Sequence, residues 1–232
     1  GTTGLIVAGI RDKDCAHEWG SPIHYDANCT DNGYDLYTCT LCHNTKTENE
    51  TPKNGKHVVK GDKCEKCSVG IVASYDVSKA QDGSIMEYVT KRADGFYKVE
   101  VVGSGEMCNQ SKLVEGGHAG KVKEISLSEG LTAIGENAFA GTVVTEVSIP
   151  DSVKTIGKQA FSGCTALSTL KLGNGVETIG EKAFYNCSKL TTLTLPASLT
   201  KIGTSAFEGC KNLIEIQNKS NLNLAKGGED NG

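Results

Sequence analysis

The residues with the greatest chemical potential are the cysteines, ten in 232 residues; nine fall into two groups and Cys108 stands alone. Six of them (Cys15, Cys29, Cys39, Cys42, Cys64 and Cys67) lie in the first 67 positions. Cys39-Thr-Leu-Cys42 and Cys64-Glu-Lys-Cys67 are two C-x2-C knuckles with 21 residues between them. Four thiolates so arranged suit the tetrahedral shell of zinc. Cys15, His17, Cys29 and His57 form a second, weaker ligand set. A shell closed by thiolates has no position left for water, so the expected zinc is structural. The competing reading is a disulfide-stapled domain, for which six cysteines allow about fifteen pairings. A redox pair would sit at a strand-to-helix junction, and no helical pattern follows Cys42 or Cys67. This stretch is too polar to build a core, so a metal or a staple would supply its stability.

The second group has a different explanation. Cys164, Cys187 and Cys210 are spaced 23 apart, in step with other columns. Phe139, Phe161, Phe184 and Phe207 are spaced 22, 23 and 23, and so are Ile134, Ile156, Ile179 and Ile202. Gly135, Gly157, Gly180 and Gly203 keep the same intervals, as do Ala138, Ala160, Ala183 and Ala206. Thr142 holds the cysteine position in the first unit. These thiols therefore read as small buried apolar groups, because a free cysteine behaves as one. Three in a row cannot all pair.

The elements that carry these columns follow from the apolar spacing. Leu167, Leu170 and Leu172 put alternate side chains on one face of a short strand. Pro150 and Pro196 end two such strands. Val176 and Ile179 turn the chain back, and 181–187 is expected to form a helical or 3-10 turn with Ala183 and Phe184 inward. The repeated glycine serves either a close approach or a positive φ. One unit cannot bury its apolar face alone; stacked units bury it continuously.

The unit Ile-Pro-Asp-Ser-Val-Lys-Thr-Ile-Gly-Lys-Gln-Ala-Phe-Ser-Gly-Cys, 149–164, resembles the BspA-type leucine-rich repeat of bacterial surface proteins. It departs from the commoner leucine-rich repeat, with Gly175 at a position usually held by Asn or Cys. The resemblance implies a secreted or cell-surface adhesion or host-interacting protein without catalytic residues. The Cys/His-rich stretch from His17 to Cys67 resembles small repeats found between domains of such proteins.

The expected fold is thus β-rich: a short leucine-rich-repeat solenoid of parallel strands, preceded by a β cap and a small Cys-rich module. Residues 1–12 read as a linker or boundary segment, 13–68 as the zinc-ribbon-like module, 69–120 as the cap, 121–217 as repeats and 218–232 as a polar tail. In the cap, Ile71-Val-Ala-Ser-Tyr-Asp, Ser84-Ile-Met-Glu-Tyr-Val and Tyr97-Lys-Val-Glu-Val-Val read as strands, with Gln81-Asp-Gly and Ala93-Asp-Gly as turns. Gly103-Ser-Gly lacks the third glycine and following helix of a dinucleotide site.

Outward strand positions form two stripes: Glu124, Glu146, Thr169, Thr192 and Glu215, then Ser126, Ser148, Lys171, Thr194 and Gln217. They are the candidate concave binding face, polar, weakly acidic and without the aromatic anchors of sugar sites or protein hot spots. The net charge of −4 carries no basic footprint, which excludes nucleic acid as a partner. No apolar run reaches the length of a membrane span. No Ser/His/Asp set can be assembled. The expected function is a non-enzymatic, extracellular or cell-surface protein that binds host, matrix or other surface proteins, with glycans as a second partner class. The alternatives are a structural spacer of a larger surface protein and, through the cysteines alone, a metal or redox enzyme.

Overall fold

The structure is a computed structural model describing residues 21, 23–25, 33–38, 45–51, 59–60, 63–64, 70–109 and 112–224. The chain divides into two units, residues 1–58 with 65–67, and residues 59–64 with 68–232. In the first unit β1 (Ile23–Tyr25), β2 (Gly33–Thr38) and β3 (Thr45–Thr51) form an antiparallel sheet in that order. Tyr25 stands opposite Tyr34 and Thr38 opposite Thr45. In the second unit β4 (Val59–Lys60) pairs antiparallel with β5 (Lys63–Cys64). Cys15, His17, Cys29, Cys39, Cys42, His57 and Cys67 lie outside the described residues, and Cys64 is described by its backbone only.

The cap is antiparallel: β6 (Ile71–Asp76), β7 (Ile85–Lys91) and β8 (Tyr97–Gly103). These are the three segments whose alternation marked them as strands. A four-residue helix, α1 (Lys112–Glu115), follows the short strand β9 (Gly105–Glu106) and buries Leu113. The cap starts both ladders of the solenoid. β10 (Val122–Leu127) joins β8 in parallel, and β11 (Leu131–Ile134) joins β9 in parallel.

Two rows of short parallel strands then alternate along the chain. The first contains β12 (Glu146–Ser148), β14 (Thr169–Lys171), β16 (Thr192–Leu195) and β18 (Glu215–Asn218), paired as β12 with β14 and β16 with β18. The second continues β11 through β13 (Thr155–Ile156), β15 (Thr178–Ile179) and β17 (Lys201–Ile202). Val147, Leu170 and Leu193 point into the core from the first row, and Ile134, Ile156 and Ile179 from the second. Between them Phe139, Phe161, Phe184 and Phe207 stack with centroids 5.2–5.3 Å apart. That spacing is close to the strand spacing of a sheet, so one ring per coil fills the core without a gap.

The segment linking β15 to β16 departs in part from the helical or 3-10 turn expected of it. Only alternate amides close the i→i−3 bond of a 3-10 turn: Ala183 to Gly180, Tyr185 to Lys182 and Cys187 to Phe184. The others reach the next coil, Lys182 to Thr204, Phe184 to Ala206 and Asn186 to Glu208. A continuous helix would instead have turned every amide beyond its first turn back onto its own carbonyls. Turned residues Asn137, Gln159, Lys182 and Ser205 take positive φ of 54–57° to alternate the amides this way. The repeated glycine two positions earlier does not. A Cβ at Gly180 would lie 2.7 Å from the backbone of Gly157 and Lys158, so close approach is what excludes a side chain there.

Candidate functional site

The strand face and the ends of its strands hold most of the predicted binding residues. Glu146 stands opposite Thr169, and Ser148 opposite Lys171. Thr192 stands opposite Glu215, and Thr194 opposite Gln217. All eight side chains are exposed, because the pleat turns their neighbours Val147, Leu170, Leu193 and Ile216 to the other side. Lys171 Nζ lies 2.9 Å from Glu146 Oε1, and Gln217 Nε2 donates to Glu215 Oε1 at 3.2 Å. Thr169, Thr192 and Thr194 present hydroxyls between these charges. Glu124 belongs to a different environment. Arg92 forms a close ion pair with it, and Lys98 lies 3.6 Å away while also holding Glu100 at 2.9 Å. It is bound into the edge of the cap sheet rather than left open on the strand face.

Two concavities accompany this face, and neither was picked out as a cavity by the periodicity. The first, about 410 Å³, is lined by Ser126, Glu129, Ser148, Pro150 and Asp151 with Ile125, Leu127 and Ile149. It contains Ser126 and Ser148 of the second predicted stripe. The other, about 490 Å³, lies along the second row of strands and is floored by Ala133, Thr155, Gly157, Thr178 and Gly180. Its hollow comes from the glycine column, where no side chain stands. Lys158 faces Glu181 at 3.0 Å and Lys154 faces Glu177 at 3.1 Å beside it.

The in-register cysteines have a structural task beyond filling space. Cys164, Cys187 and Cys210 each donate from Sγ to the phenylalanine carbonyl of the preceding coil, at 3.3 Å in every case. Thr142 Oγ1 lies 3.2 Å from Cys164 Sγ, which continues the column with a hydroxyl. The hydrogen bond shared with Cys164, then burial, pushes the Cys187 thiol far above its ordinary range. Burial pushes Cys210 up to about 11. A thiol held protonated is a poor nucleophile and a poor metal ligand.

One buried ionisable group stands apart. Glu87 on β7 is opposite Tyr75 on β6 and Val101 on β8. Its side chain is enclosed, its Oε1 has no hydrogen-bond partner among the described residues, and burial pushes its pKa up to about 8. Burial, then the charges of Glu87 and Glu115, raise the Tyr75 phenol above its ordinary range. Among the described residues no group of three or more His, Cys, Asp or Glu side chains gathers as a metal site.

Residues 118–227 match the family model of the BspA type leucine rich repeat region, in six copies. This segment is a leucine-rich-repeat scaffold, an architecture built for protein interaction. The chain is similar to a leucine-rich repeat protein from Eubacterium ventriosum at 22% identity, covering 64% of this chain and 45% of that one, with a TM-score of 0.48. A leucine-rich repeat protein from Bacteroides capillosus is 24% identical over 62% of this chain and 97% of that one, with a TM-score of 0.37. The pneumococcal vaccine antigen PcpA is 18% identical over 64% of this chain and 49% of that one, with a TM-score of 0.37. The match thus spans less than half of the Eubacterium protein. No curated protein matches the sequence. No helix among the described residues is long and apolar enough to cross a membrane.

Proposed function

We propose that this chain is a non-enzymatic interaction module of a bacterial cell-surface or secreted protein, and that it binds another protein through the exposed face of β12, β14, β16 and β18. The observation that carries this reading is the register of that face. Glu146, Thr169, Lys171, Thr192, Thr194, Glu215 and Gln217 form an exposed hydroxyl and charge pattern, backed by a continuous core that holds it rigid. A rigid scaffold loses little conformational entropy on binding. The lack of an aromatic anchor weighs against a stacked glycan and a single protein hot spot alike, and points to modest affinity multiplied by several contacts. The same lack supports a second reading, in which this chain is a spacer.

An array of matrix and host-surface proteins separates the two. Binding that Thr169→Arg with Thr192→Arg weakens about tenfold or more, at under about 0.5 kcal/mol in stability, supports the first. No binding by the folded chain overturns it in favour of the spacer. For the N-terminal module the reading is structural zinc held by Cys39, Cys42, Cys64 and Cys67, with Cys15, His17, Cys29 and His57 as a second set. Metal analysis should give about one zinc per chain, or about two with mixed ligands. An oxidised, metal-free module, or an unchanged fold in Cys39→Ser with Cys64→Ser, would sink it.

A further inference from the structure

The cap encloses one acid that its folding leaves short of partners. Glu87 is 1% exposed and lies on the face of β7 that also carries Ile85 and Val89. Its cross-strand neighbours are Tyr75 of β6 and Val101 of β8. Its Oε1 has no hydrogen-bond partner among the described residues. A carboxylate so enclosed cannot recover its hydration, so it keeps its proton until water reaches it. On its face of the sheet the titratable groups are Tyr75 on β6, Lys91 on β7 and Tyr97 on β8. Asp76, Tyr88, Lys98 and Glu100 alternate to the other face. The segment over the sheet adds Lys112 and Glu115, paired at 3.2 Å, then His118 and Lys121, whose Nζ stands 5.7 Å from the centre of the Tyr97 ring.

One short segment covers this face at Tyr75. Leu113 of α1 is buried in the same cluster as Ile85, Val89 and Val99. Gly116 comes so near Tyr75 that a Cβ there would lie 2.3 Å from the phenol oxygen. The His118 ring packs 6.4 Å from that of Tyr75 and 5.7 Å from that of Tyr97. The main-chain bonds that shape the segment are internal: Gly116 to Lys112 O, Gly117 to Val114 O and His118 to Leu113 O, at 2.9–3.0 Å. Val114, Glu115, Gly116 and Gly117 are exposed. The sheet itself offers no entry, since β7 is bonded to β6 on one side and β8 on the other. A short segment docked by few buried side chains opens at lower free energy than the core beneath it. We infer that residues 112–118 form a proton-controlled flap of the cap, closed over protonated Glu87 and lifted to admit water when Glu87 ionises, while the repeats stay folded.

The closed flap holds the proton up to about pH 8, whereas a hydrated Glu87 releases it near the ordinary carboxylate value. Opening is therefore least favoured in acid, grows about tenfold for each pH unit between about 5 and 7.5, and levels off above about 8. Hydrogen exchange of the full chain, corrected for the intrinsic rate, reads this at the amides of Gly116, Gly117 and His118. Their protection should fall with that slope and depend little on denaturant below the unfolding transition. It should also stay at least about tenfold below that of the Phe161 and Phe184 amides in the repeats. Glu87→Gln should flatten the slope, and His118→Gln should leave it, which separates the carboxyl from the imidazole. Protection that does not change with pH overturns the proposal, and so does a slope that survives Glu87→Gln or vanishes in His118→Gln. Equal protection at 116–118 and at Phe161 and Phe184 overturns it too, because Glu87 then ionises only when the whole unit unfolds.

Discussion

At the scale of single residues, burial holds the proton on Glu87 and on Cys210 alike. Glu87 titrates at about 8 in the fold and near the ordinary carboxylate value when unfolded. The folded chain therefore holds a proton that the unfolded chain releases as pH rises above about 4.5. Stability is fullest below that pH, falls as pH climbs toward about 8, and levels off beyond it. The loss is at most about 5 kcal/mol from a shift of this size. Glu87→Gln should remove the slope and gain about 3 kcal/mol at pH 7 relative to the parent chain, with little change at pH 4. Denaturant titrations at a series of pH values read this directly; parallel slopes in parent and variant would contradict it. In the cysteine column, folded chain treated with an alkylating reagent should be modified at Cys210 well before Cys164 or Cys187, because the last coil is partly open and the inner ones are buried. Mass spectrometry of the peptides decides the order.

At the scale of the repeating element, the coil is held by three devices that can be separated. Phe184→Ala removes a fully buried ring from the middle of the stack and should cost about 3–5 kcal/mol. Phe207→Ala should cost less, because that ring has a neighbour on one side only. Gly180→Ala and Gly141→Ala test two kinds of glycine. At Gly180 the obstacle is the backbone of the adjacent coil, 2.7 Å from the new methyl, and no relaxation short of parting the coils removes it. At Gly141 there is open space and a φ of +70°, so the cost is the left-handed conformation alone, about 1 kcal/mol. Thermal unfolding of the pair should therefore rank Gly180→Ala as the more damaging by a clear margin. The exposed ion pairs between coils, such as Lys158 with Glu181, should each be worth under about 1 kcal/mol.

At the scale of the whole second unit, the cap is a template rather than a lid. It supplies β8 and β9, one strand for each row, and its apolar residues Ile85, Val89, Val99 and Leu113 are continuous with the repeat core. Each coil contacts only its neighbours, so an unsatisfied first coil exposes both a strand edge and an apolar face. Removing residues 70–117 should leave the repeats aggregated or unfolded. A monomeric, cooperatively folding fragment after that deletion would show that the cap is dispensable.

The sequence by itself determined the coil. Four columns at intervals of 22–23 residues specify which side chains are inside, because only stacking buries a stripe that recurs once per turn. The strand alternation in the cap was legible for the same reason. It also marked the outward place of Thr169 and Thr192, which follows from their position between the buried Leu167 and Leu170, and Leu190 and Leu193. What the tertiary structure decided concerns groups whose partners lie in another coil. The turn opposite the strands is not helical because half of its amides bond across to the next coil, a choice set by neighbours 22 or 23 residues away. Glu124 reads as another member of an open stripe until Arg92 and Lys98 are brought against it by the cap sheet. Glu87 shares a face of β7 with the apolar Ile85 and Val89, and the pairing of that strand with β6 and β8 makes it a buried acid. The thiol ladder is regular in the sequence, but its bonds to the phenylalanine carbonyls of the preceding coils arise from stacking. Periodicity records what each unit buries; the satisfaction of polar groups depends on distances that only the stacked coils fix.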